Sequence, residues 1–192
     1  MNSNDSSIVK NNRAKKMMLW FGMISMSMTF AGLTSAYVVS SSRADWIQQI
    51  DLPFAFSIST ALILMSSFSF YGALKMIRSK KRLESKALLI TTLVLAIAFI
   101  YFQLSGFDSI IDQGYYFTGP ESSITTSYLY VLVLLHLAHL IAGIIIIFNV
   151  LIKTLNGKYI NENTIGFELS VTFWHFLDLL WVYLFLFISF YG

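Results

Sequence analysis

The chain contains no cysteine, which removes disulfides, thiolate metal sites and cysteine nucleophiles from consideration. It has only two prolines, Pro53 and Pro120, among 192 residues. It is also poor in charge: 12% of residues are charged, where soluble domains carry about 25%. No glycine-rich phosphate loop, zinc-protease motif or nucleophile–base pattern occurs. What fills the space is apolar: 56% of the chain is hydrophobic and 16% aromatic. This is the composition of an integral membrane protein.

Five apolar stretches reach the roughly 20 residues that a helix needs to cross a bilayer. They run approximately over 17–40, 54–77, 87–107, 127–152 and 165–191, and both prolines fall outside them. Lipid offers no hydrogen bonds to the backbone, so each stretch is expected to be a helix. The expected fold is all-α: a polytopic five-transmembrane-helix bundle over 17–192, preceded by a polar cytoplasmic tail, 1–16, whose first nine residues are expected to be disordered. The first stretch is too long for a signal-peptide core and is expected to remain as a helix.

Charge sets the expected orientation. Lys10, Arg13, Lys15 and Lys16 precede the first stretch. Lys75, Arg78, Lys80, Lys81, Arg82 and Lys86 lie around the second connection, and Lys153 and Lys158 around the fourth. Only Arg43 lies on the other side, with Asp45, Asp51, Asp108, Asp112 and Glu121. Basic residues stay in the cytoplasm, so the N-terminus is expected inside and the C-terminus outside. No nucleic-acid partner is expected, because the basic residues are accounted for by topology and anionic lipid head groups.

Few strongly polar side chains fall at membrane depth: Gln103, His136, His139, His175 and Asp178, with Glu168 near the inner interface. A charge at mid-membrane costs about 2.5–3.5 kcal/mol on insertion scales, so each should face protein or water. His136 and His139 share a face of the fourth helix, and His175 and Asp178 share a face of the fifth. The two pairs lie within one or two turns of the same depth. A polar layer between these helices is the simplest way to satisfy them. The same residues leave three functional alternatives open: ligands for haem b, a proton relay, or a metal site. Three histidines are a small stock, and the paired histidines on one helix do not chelate one haem. Structural bonding between helices is the preferred reading, with no metal and no catalytic residue in this chain. Glu168, Trp174 and Trp181 are candidates for lipid or subunit contact, with packing the plainer reading of the two deeper tryptophans.

The order of these motifs resembles a known family. Trp174-His175-Phe176-Leu177-Asp178-Leu179-Leu180-Trp181, preceded by Gly166-Phe167-Glu168, resembles the last helix of subunit III of haem–copper terminal oxidases. His136-Leu137-Ala138-His139 with Gly143, Gln103, Ser59-Thr60, and Gly32-Leu33 before Ala36-Tyr37-Val38 are similar to motifs of that family, in the same order. The resemblance covers roughly residues 16–192 and is to the five-helix bacterial form. It implies a non-catalytic core subunit of a proton-pumping oxidase in the bacterial cytoplasmic membrane. Such a subunit stabilises subunit I and supports its proton uptake. The implied partners are oxidase subunits I and II, membrane lipids and a respiratory supercomplex. Haem and copper would sit in the partner subunits, none would sit in this chain, and bound phospholipid is a further expectation. Cytochrome c is the main reading of the electron donor. A quinol oxidase subunit III, or a haem- or quinone-binding anchor of another respiratory complex, is the alternative. Two family carboxylates are missing: Met26 and Gly106 stand where the family usually has glutamate.

Overall fold

The computed structural model describes residues 3–43, 53–114, 124–157, 159 and 164–191. Five helices make up the fold: α1 (Ser3–Ser40), α2 (Phe54–Arg78), α3 (Arg82–Asp112), α4 (Ile124–Leu155) and α5 (Ile165–Tyr191). Each contains a span long and apolar enough to cross a membrane, and no strand occurs among the described residues. The chain is thus an all-α, multi-pass membrane protein.

The helices outrun the apolar stretches. α1 begins at Ser3, where a disordered segment was expected, and nothing before Gly22 breaks a helix. α3 extends through the polar turns Arg82–Lys86 and Asp108–Asp112. Apolarity marks the part of a helix that sits in hydrocarbon, whereas the backbone ladder continues through the polar interface on its own hydrogen bonds. Gly119, Pro120 and the acidic residues Asp45, Asp51 and Glu121 lie outside the described residues.

Every helix buries a line of residues seven apart. The lines are Met23, Phe30 and Tyr37 on α1; Phe56, Ile63, Phe70 and Ile77 on α2; and Leu89, Ala96, Gln103 and Ile110 on α3. On α4 the line is Leu129, His136, Gly143 and Val150, and on α5 it is Phe167, Trp174, Trp181 and Ile188. A seven-residue repeat belongs to left-handed packing with helices inclined by about 20°.

The helices α2, α3, α4 and α5 form a closed ring of neighbours, and α1 rests outside it on α4 and α5 alone. Phe30 packs with Leu132, Leu180 and Leu184, while Met23 packs with Phe173 and Leu177. Two glycines permit close approach. A Cβ on Gly143 would lie 3.0 Å from both Trp174 and Leu177, and one on Gly106 would lie 2.8 Å from the Phe56 ring. Small residues at such contacts let packing replace the hydrophobic drive that lipid does not supply.

Basic residues tie neighbouring helix ends together. Arg82, at the start of α3, donates from Nε to the Thr154 carbonyl at 2.9 Å and from its guanidinium to the Leu155 carbonyl. It thereby satisfies carbonyls that the last turn of α4 leaves open. Arg78, at the end of α2, pairs with Glu168 at 2.9 Å.

The turn between α2 and α3 closes with Lys81 N–H bonding the Met76 carbonyl at 3.0 Å and Lys80 N–H bonding the Ile77 carbonyl at 3.1 Å. That pattern requires a left-handed residue, normally glycine. Here Lys80 takes it, with φ of 60°. Lys80→Gly is therefore expected to raise stability by about 1 kcal/mol and Lys80→Val to lower it. Thermal unfolding in detergent, with retained helicity as the control, checks the ordering, and a Lys80→Gly protein less stable than the parent would contradict it.

Candidate functional site

The polar groups at membrane depth centre on the interface of α5 with α2. Helix α2 carries Ser59 and Ser66 on one row and Thr60 and Ser67 on the next, each pair seven residues apart. Ser59 and Thr60 donate to the Phe56 carbonyl at 2.9 and 2.7 Å, and Ser66 donates to the Ile63 carbonyl at 2.7 Å. With its proton used on its own helix, each hydroxyl oxygen keeps lone pairs for a neighbour. Trp174 Nε1 donates to Ser66 Oγ at 3.0 Å, and Trp181 Nε1 donates to Thr60 Oγ1 at 3.0 Å. Gln103 Nε2 on α3 donates to Ser59 Oγ at 3.2 Å. Ser67 Oγ and His175 Nδ1 share a further hydrogen bond. One helix thus supplies acceptors to two others.

Trp181 is the centre of this arrangement. Its ring centroid lies 5.2 Å from His136 on α4, 5.4 Å from Phe99 on α3 and 6.4 Å from Phe56 on α2. Trp174 and Trp181 are 0% and 1% exposed, so the expected lipid or subunit contact is corrected for both. Their large rings fill the ring of helices, and the Gly143 gap receives Trp174. Glu168 accepts from Thr164 at 2.9 Å and pairs with Arg78 within the chain.

The four residues expected to form one layer between α4 and α5 are not hydrogen-bonded to one another. His136 is buried between Trp181 and Phe30, and neither ring nitrogen has a hydrogen-bond partner. His139 is half-buried and turns back on its own helix, donating from Nδ1 to the Leu135 carbonyl at 2.7 Å. His175 faces α2 through Ser67 and lies 6.3 Å from the Tyr71 ring. Asp178 is buried, and neither carboxyl oxygen completes a hydrogen bond, although Ser67 lies within interaction range of it. Equal depth on adjacent helices does not bring side chains together when their faces are rotated apart. His175 and Ser67 engage across the α2–α5 seam, while His136 points into the aromatic core.

The rings of Phe30 and Trp181 occupy the surroundings of His136. Among the described residues no group of three or more His, Cys, Asp or Glu is arranged to hold a metal ion. The two positions where the resemblance leads one to expect glutamate carry packing. Phe56 occupies the space beside Gly106, and Met26 joins Met23, Phe173 and Leu177. The α2 hydroxyls Ser66 and Ser67 did not stand out in the sequence. The signal was their seven-residue offset from Ser59 and Thr60, which mirrors the offset of Trp174 and Trp181.

Indole–hydroxyl bonds between spans contribute about 0.6 kcal/mol on average. Ser66→Ala and Trp174→Phe should each destabilise the chain, and the double variant should lose less than the sum by about that amount. Reversible unfolding in mixed micelles measures the cycle, and strict additivity would mean that the bond carries no energy.

Comparison with known proteins places this arrangement. The family model for cytochrome c oxidase subunit III matches residues 18–192. Cytochrome c oxidase subunit 3 of Schizophyllum commune is 33% identical over 141 residues, covering 72% of this chain and 50% of that protein. Cytochrome bo(3) ubiquinol oxidase subunit 3 of Buchnera aphidicola is 28% identical over 193 residues, covering 98% of this chain and 92% of its own. Cytochrome c oxidase subunit 3 of Alkalihalophilus pseudofirmus is 33% identical over 160 residues, covering 82% and 73%. The chain spans about half the length of the fungal relative and most of the length of the two bacterial ones. The match runs through all five helices and through the buried tryptophan seam of α5, and the chain belongs to the cytochrome c oxidase subunit III family of the haem–copper oxidases.

Proposed function

We propose that the chain is the accessory subunit III of a bacterial proton-pumping terminal oxidase, with cytochrome c as the electron donor. Oxygen is reduced to water in subunits I and II, which carry the haem and copper. This chain packs against subunit I within the membrane, stabilises it and sustains its proton uptake. It lies in the cytoplasmic membrane with its N-terminus inside, and bound phospholipid and a respiratory supercomplex complete its surroundings.

The observation that carries this reading is the family match across residues 18–192, which includes every membrane span from α2 to α5 and most of α1. The chemistry of the interior agrees with an accessory role. Among the described residues its polar side chains point into helix contacts or into a closed aromatic core, and no group of three or more His, Cys, Asp or Glu is arranged to hold a metal ion. The orientation rests on the one-sided distribution of lysine and arginine. An exposed apolar face on α1, with Met18, Phe21 and Met28 each more than two-thirds exposed, supports contact with lipid or a neighbouring subunit. One observation favours quinol as donor: the Buchnera ubiquinol oxidase relative is matched over 98% of this chain.

The test is purification of the tagged chain from its native membrane. Oxidase subunits I and II are expected to accompany it, with haem absorbance in the complex. The chain produced alone is expected to show no Soret band. A Soret band from the isolated chain that disappears in His136→Ala or His175→Ala would instead make it a haem-binding anchor. Oxygen uptake by the purified complex, supplied in turn with reduced cytochrome c and with quinol, decides the donor.

A further inference from the structure

We propose, resting on the accessory-subunit reading above, that the uncovered face of α5 between α1 and α2 is the berth of one transmembrane helix of another oxidase subunit, and that an amide or hydroxyl side chain of that helix hydrogen-bonds Nε2 of His175.

The face is a trough. α1 and α2 both pack on α5 and do not touch each other. α2 meets α5 at Trp174, His175 and Trp181, and α1 meets it at Phe173, Leu177 and Leu180. At 3.6 residues per turn, Thr172, Leu179, Tyr183 and Leu186 fall between these two sides, and all four are exposed. Exposed Phe68 and Tyr71 flank the trough on α2, and exposed Ala31 and Ser35 flank it on α1. Two hollows open along it on either side of Tyr183. One of about 560 Å³ is bounded by Leu186, Phe187 and Phe190, and one of about 360 Å³ by Ala31, Thr34 and Ser35. The small side chains of Ala31 and Ser35, one turn apart, allow a further helix to come close to α1.

The polar group in this trough decides between a helix and lipid. α3 turns Ile90, Val94 and Ile97 outward, and α4 turns Leu134, Ile141 and Ile145 outward, all side chains that hydrocarbon accommodates. The α5 face instead carries an imidazole in mid-span: His175 is the eleventh of the 27 residues of α5, about 15 Å from its start. The ring is half-buried, Ser67 occupies Nδ1, and no other hydrogen bond reaches it among the described residues. Whichever nitrogen carries the proton, Nε2 remains a donor or an acceptor without a partner. Exposed Thr172 avoids this need by donating to the Glu168 carbonyl of its own helix at 3.0 Å. Nε2 lies on the edge of the ring remote from the backbone and has no such recourse. Acyl chains offer neither donor nor acceptor, so a phospholipid filling the trough would leave the imidazole unsatisfied. A neighbouring helix brings a side chain to the same depth, as Ser66 does for Trp174 within this chain. An amide or a hydroxyl both donates and accepts, and so suits either tautomer.

Photocrosslinking within the complex tests the berth. The tagged chain, with p-benzoylphenylalanine in place of the exposed Leu179, is irradiated in its native membrane and purified. The probe is expected to join a membrane-spanning peptide of oxidase subunit I or II, identified by mass spectrometry. In the purified complex, diluted in detergent until association is half complete, His175→Leu should lower the crosslinked fraction about threefold, the effect of one average hydrogen bond between spans. His175→Gln, which keeps a hydrogen-bonding end group, should recover most of it. If His175→Leu fails to accumulate, the crosslink in the chain with its own His175 still decides. A probe joined only to lipid or to a second copy of this chain, or a His175→Leu complex crosslinked at the parent level, would overturn the berth. With subunits I and II copurified, that result leaves the oxidase reading standing, whereas their absence from the purified material would remove both.

Discussion

The bundle depends on hydrogen bonds that α2 hydroxyls accept from the α5 tryptophans. In lipid, an apolar helix gains little by leaving its surroundings for another apolar helix, so the choice of partner falls to packing and polar contacts. Trp174 and Trp181 present one indole N–H each, and Ser66 and Thr60 receive them. Any rotation of α5 that broke these contacts would strand two buried donors. The same rotation would push the Trp174 ring off the Gly143 surface, where no side chain stands in its way. Polar pairing and shape therefore select the same orientation of α5, which is what makes it specific.

That arrangement explains which parts of the fold are legible in sequence. The number, length and spacing of the spans follow from apolar run length, because the bilayer has a fixed thickness. The partners of Gln103, His175 and Asp178 do not follow, because the lipid-facing side of a span is as apolar as its buried side. In a soluble helix, hydrophobicity points to the core; here it points nowhere. What marks the interior is the residue that is not a plain aliphatic. Gln103, His136, Gly143, Trp174 and Trp181 lie on the seven-residue lines that face inward, and Ser59 and Ser66 are buried beside the line of α2. Pairing by depth, which joined His136 to His175, ignored the rotation of each helix about its own axis.

The positions where the resemblance leads one to expect glutamate bear on the same point. The Phe56 ring closes over the space beside Gly106, and Met26 joins an apolar cluster. Both sites hold packed hydrocarbon, while Asp178 is buried at the middle of α5. Burying an unpaired acid weakens a fold unless another gain offsets it. Its retention beside a serine and an imidazole is thus the least economical feature of the interior, and the one that structural packing alone does not explain.

The lopsided position of α1 has a consequence for biosynthesis. Ribosomes deliver the N-terminus first, yet α1 touches neither α2 nor α3 and rests only on α4 and α5. α1, synthesised before α2 to α5, must wait in the bilayer, surrounded by lipid, until α4 and α5 have been inserted. During that interval the α2–α3 hairpin can close on itself, while α1 has no intramolecular berth. Its broad uncovered flank is then open to whatever other membrane-embedded chain arrives before its own sequence is complete.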